Sequence, residues 1–80
     1  SLAVQNYQEE VYKLALHSLE HHERKSRDMS TLSVTASGNE LEEIKELARH
    51  FRKSVLQVAK SCEKPNRVYQ VNIQIFPMSK

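Results

Sequence analysis

Val4, Tyr7, Val11, Leu14 and Ser18 follow one another at gaps of three or four residues, and Tyr12, Ala15, Leu16 and Leu19 widen the same side. Gln8, Glu9, Lys13 and Glu20 fall elsewhere. That period predicts an amphipathic helix of about five turns, from Leu2 to about Glu23. His21, His22, Glu23, Arg24, Lys25 and Ser26 include no apolar residue, so they read as a fraying last turn and a loop. From Met29 to Ala36 the period changes. Leu32, Val34 and Ala36 alternate with Thr31, Ser33 and Thr35, the pattern of a half-buried strand with a hydroxyl-rich outer face.

The third stretch has the strongest period. Ser37-Gly38-Asn39-Glu40 has the form of a capping box, in which Ser and a Glu three residues on satisfy each other's backbone N–H groups. Apolar residues then recur at Leu41, Ile44, Ala48, Phe51, Val55, Val58 and Cys62, with gaps alternating between three and four. This predicts a helix of about 24 residues, flanked by Leu47, Leu56 and Ala59. Glu40, Glu42, Glu43 and Glu46 lie near its start and Arg49, Arg52, Lys53 and Lys60 later, an order that suits the helix dipole. Lys64-Pro65-Asn66 stops it. Between Arg67 and Phe76, Tyr69, Val71, Ile73 and Ile75 alternate with Gln70, Asn72 and Gln74, a second strand pattern that Pro77 ends.

Helix, strand, helix, strand with short connections predicts an α/β two-layer sandwich. Two long helices would cover one face of a small sheet of parallel strands joined by a right-handed crossover. Two strands are too few for a stable sheet. The expected completion is a homodimer with four strands, joined through an unpaired strand edge. The outer sheet face would show Thr31, Ser33, Thr35, Val68, Gln70, Asn72, Gln74 and Phe76. With Tyr69 from the associating strand, these residues form the candidate association or ligand surface. Leu41, Ile44, Phe51, Val55 and Val58 are the expected core.

Composition narrows the function more than it names one. Eighty residues make a single domain, residues 1–80, and 39% apolar with 28% charged residues is ordinary for a globular chain. A net charge of +2 is too small to imply nucleic-acid binding, and no apolar run approaches membrane-spanning length. The lone Cys62 excludes an internal disulfide and suits a reducing cytoplasm. On the apolar seam, at a helix C-terminus that disfavours a thiolate, it reads as a buried packing residue. One Gly leaves no phosphate-cradling loop, and no nucleophile has a matched base, so no enzyme is expected. The chain enters helix directly at Ser1 without a Met, as expected of an excised C-terminal domain.

Arg27-Asp28, leading into the Ser/Thr-rich strand, and the string Val68-Tyr69-Gln70-Val71-Asn72-Ile73-Gln74-Ile75-Phe76-Pro77 resemble the C-terminal domain, itself of unknown function, of a family of predicted bacterial transcriptional regulators expanded in predatory and fibre-degrading bacteria. The resemblance runs from about Tyr7 to Lys80. It implies a cytoplasmic regulator of about three times this length, with a helix-turn-helix-like region ahead of this domain. His21-His22 and Gly38-Asn39 lie outside the family pattern, and the resemblance supplies no ligand, cofactor or catalytic residue.

Two side-chain groups have competing readings. His17 and His21, four apart on a helix with His22 beside them, can share a metal with Glu20 or Glu23, or can simply be a polar helix end. Lys45, Arg49, Arg52 and Lys60 can meet phosphates, or can be a solvated face with ion pairs such as Glu46 with Arg49 or His50. The bland reading is adopted for both, with no metal, no cofactor, no direct nucleic-acid contact and no membrane. The expected function is that of a dimerisation and regulatory module which does not itself read DNA. Its partners would be a second copy and the N-terminal DNA-binding region of the same full-length chain. The alternative is a small-ligand sensor using the polar sheet face or a dimer cleft.

Overall fold

A computed structural model describes residues 1–79; Lys80, the last residue of the expected domain, lies outside the described residues. Helix α1 spans Leu2–His21, a single 3₁₀ turn spans Arg24–Ser26, and helix α2 spans Gly38–Lys60. Residues 27–37 and 65–77 carry no regular secondary structure.

Both helices begin and end where local chemistry dictates. At α1 the Ser1 hydroxyl accepts from the Val4 N–H at 3.3 Å, satisfying one of the donors that every helix start leaves open. The far end closes at His22, whose extended backbone still donates to the Ser18 carbonyl at 2.9 Å. The His22 ring Nδ1 lies 2.8 Å from the Ser18 hydroxyl. The chain then makes its 3₁₀ turn, and Arg27 Nε donates back to the His22 carbonyl at 3.3 Å. α2 starts at Ser37, as its sequence predicts, through a variant of the capping box. The Ser37 hydroxyl donates to the Glu40 carboxylate and makes no bond to a backbone N–H. Ser61 ends α2: its N–H reaches the Gln57 and Val58 carbonyls at 3.2 Å, and its hydroxyl donates to the Val58 carbonyl at 2.7 Å.

The expected α/β sandwich does not form. Among the described residues there are two α-helices and no strand, so the fold is all-α. Residues 29–36 and 67–76 keep their alternating pattern but no ladder. Alternation states which residues would share a face; a strand also needs a neighbour to take its N–H and C=O groups, and two short segments are too few to supply a lasting sheet. The four-stranded dimer and its strand-edge joint fall with the sheet.

The chain divides into two compact units, residues 1–33 and residues from Val34 onward. In the first, Val11 is buried, and Tyr12, Ala15 and Ser18 on the same side of α1 are half-buried, as are Ser26 and Arg27. In the second, Ile44, Ala48 and Val55 on α2 are half-buried, with Asn72 and Ile73. Of the expected core, Ile44 and Val55 are half-buried and the other three are open. Leu41, Phe51 and Val58 are 38, 54 and 72% exposed. Cys62, expected to be buried, is exposed as well; it lies two residues beyond the end of α2.

Candidate functional site

The residues expected on the sheet face lie in the two irregular segments. Thr31 and Ser33 belong to the first unit, while Thr35, Val68, Tyr69, Gln70, Asn72, Gln74 and Phe76 belong to the second. All are exposed except Asn72, which is half-buried, and Val68 is 94% exposed. No sheet face gathers them, so the geometry that made them one surface is missing.

Helix α2 gathers residues that the sequence reading had placed in a core. Its helical rise of about 1.5 Å per residue strings Leu41, Ile44, Ala48, Phe51, Val55 and Val58 along one side of a cylinder. The open members are large: Leu41, Phe51 and Val58. Ile44, Ala48 and Val55, along the middle of that side, are half-buried, so the open apolar surface lies at its margins.

The charges beside the seam are arranged in local pairs. Glu46 accepts from Arg49 Nε at 2.8 Å and from Arg49 Nη2, and it faces His50 Nε2 at 3.2 Å. The Arg49 hydrogen bond, then its charge, holds the Glu46 carboxyl below the usual carboxylate range, helped by His50 and Lys53. The expected ion pair of Glu46 with Arg49 is thus present, and His50 lies within reach of the same carboxylate. Lys45 reaches Glu42 at 3.4 Å. The Glu40 carboxyl is also lowered, first by the Ser37 hydroxyl and then by the backbone N–H of Glu40, with the Ser37 N–H adding to it. These groups are exposed, so their pairing orders the helix surface more than it stabilises the chain.

At the end of α1 the His17 and His21 ring centres are 4.2 Å apart, and those of His17 and His22 are 6.2 Å apart. Glu20 lies 3.7 Å from His21 Nε2. The described residues hold no group of three or more His, Cys, Asp or Glu side chains able to grip a metal ion. No helix among them is long and apolar enough to cross a membrane.

Residues 1–78 match a family described as a domain of unknown function, DUF4423. The chain belongs to the DUF4423 family. No curated protein and no solved structure matches it. In this DUF4423 domain Leu41, Phe51 and Val58, expected in a core, are exposed, while Ile44 and Val55 are half-buried. Ser1 as a helix cap was also missed, although a Ser immediately before an apolar-periodic run is a recognised start signal.

Proposed function

We propose that this DUF4423 domain is the dimerisation and regulatory module of a cytoplasmic bacterial transcriptional regulator and does not itself read DNA. One observation supports the reading: α2 leaves Leu41, Phe51 and Val58 open to solvent beside the half-buried Ile44, Ala48 and Val55. Burying such a face against another chain is favourable by roughly 25 cal/mol per Å² of apolar area removed from water. The regulator part rests on the resemblance of Arg27-Asp28 and the Val68–Pro77 string, and family likeness of that kind is support by analogy. The charge pattern agrees with a non-reading role. Arg49 and Lys45 are engaged by Glu46 and Glu42.

In such a regulator, joining two copies sets the distance between two DNA-reading heads and so the spacing of the half-sites they recognise. Light scattering over a concentration series tests the first step. The expected result is a species of twice the 9.3 kDa chain mass at high concentration. A 9.3 kDa species at every concentration removes the proposal.

A further inference from the structure

The geometry points to a parallel, in-register pairing of α2 with α2 of a second copy, which rests on the dimerisation reading above and adds its orientation. The gaps of three and four from Leu41 to Cys62 complete three seven-residue repeats, with Leu41, Ala48, Val55 and Cys62 at the first seam position and Ile44, Phe51 and Val58 at the second. That repeat is the pattern of helices that wrap around one another; Leu41, Phe51 and Val58 stand open to receive a partner, and Ile44, Ala48 and Val55 between them are half-buried.

The flanks of the seam decide the direction. One flank carries Lys45, Arg52 and Ala59; the other carries Glu40, Leu47, Ser54 and Ser61. In a parallel pair the two flanks meet, each residue facing one five positions further along the other helix. Glu40 then faces the partner's Lys45, twice by symmetry, and Arg52 faces only the partner's Leu47. In an antiparallel pair each flank meets itself. Setting Leu41 opposite the partner's Val58 brings Lys45 against the partner's Arg52, and the next register brings Arg52 against the partner's Arg52. Parallel pairing has one attractive contact and no repulsive one; both antiparallel registers have a repulsive one.

The acidic first half and basic second half of α2 pull the other way, but weakly. Glu42, Glu46, Arg49 and His50 are already tied within the helix and lie off the seam, where salt screens them beyond about 8–10 Å. Glu40 and Lys45 can still meet a partner: the bond of Glu40 to Ser37 uses one carboxylate oxygen of two, and the contact of Lys45 with Glu42 uses one ammonium donor of three.

The orientation has a direct readout in Cys62, whose N–H still bonds the Ala59 carbonyl at 3.1 Å and so continues the last turn. Parallel pairing sets it opposite the partner's Cys62, within disulfide reach. The antiparallel registers hold the two thiols roughly 27–37 Å apart. The experiment uses the 80-residue chain at a concentration where it is dimeric, oxidised with diamide and run on a non-reducing gel, with Cys62→Ser as control. Dimer dissociation is also measured for Lys45→Glu. Parallel pairing predicts a Cys62-dependent covalent dimer and, because a carboxylate at position 45 now faces Glu40, a roughly three- to tenfold weaker association. A dimer that resists cross-linking and is tightened by Lys45→Glu overturns the parallel assignment while leaving dimerisation standing. A chain that stays monomeric overturns both.

Discussion

Phe51 stands at the middle of the α2 seam with about half of its surface open (54%). In a packed core its removal would cost about 3–5 kcal/mol. Here the isolated chain loses little: Phe51→Ala is expected to change its thermal unfolding by less than about 1 kcal/mol. The same change should raise the dimer dissociation constant more than tenfold, because each copy loses a central aromatic contact of the kind that dominates interfaces. Dilution light scattering beside a thermal melt separates the two effects, and a large loss in the melt with unchanged association would contradict the open seam. Glu40 and Glu46 make a second prediction at this scale. Their carboxyls are held below 4.5, so their contribution to α2 is present above that value and fades as pH falls through the lowered folded-state values. Helical circular dichroism should therefore decline on acidification below about pH 4.5. The double variant Glu40→Gln with Glu46→Gln should flatten that decline.

At the scale of the element, Gly38 is the least needed residue of α2. It is the first helical position, its φ is not positive, and an added Cβ would meet nothing within 4 Å. Gly38→Ala should then stabilise α2 by about 0.4–1 kcal/mol, chiefly by narrowing the unfolded chain, and raise the melting temperature. The two helices were legible within about two residues at each end, and the reason is physical: a helix satisfies its own backbone groups four residues away, so the pattern from Leu41 to Val58 states the element almost completely. Thr31–Ala36 and Tyr69–Ile75 state only half of a strand. Their alternation is present in the sequence, but the partner that would turn it into a ladder is not, and the Thr31-to-Phe76 surface was inferred from that missing half. The seam residues were legible as a set. Their open state was not, because a gap of three and four is the same for a core face and for an interface.

For the whole molecule, the proposed pairing through the seam would make association a term in stability. A dimer's melting temperature rises with protein concentration by mass action, whereas a monomer's does not. Melting the chain across a hundredfold concentration range should shift the midpoint upward, and the shift should disappear in a variant with Val58→Asp at the open end of the seam. Binding to mixed-sequence duplex DNA, by contrast, should be negligible at physiological salt, as the net charge of +2 and the paired cations of α2 require.

The division of the chain between Ser33 and Val34 falls inside a stretch, residues 28–37, that is exposed and free of regular structure. Proteases cut such stretches first, and Met29 and Leu32 offer apolar side chains to a chymotrypsin-like enzyme. One brief cut there would release a fragment that starts at about Ser33 and keeps every residue of the α2 seam. On the proposed reading the joining surface would in that sense be portable: clipped from the chain, or fused to an unrelated monomer, it would be expected still to bring two copies together.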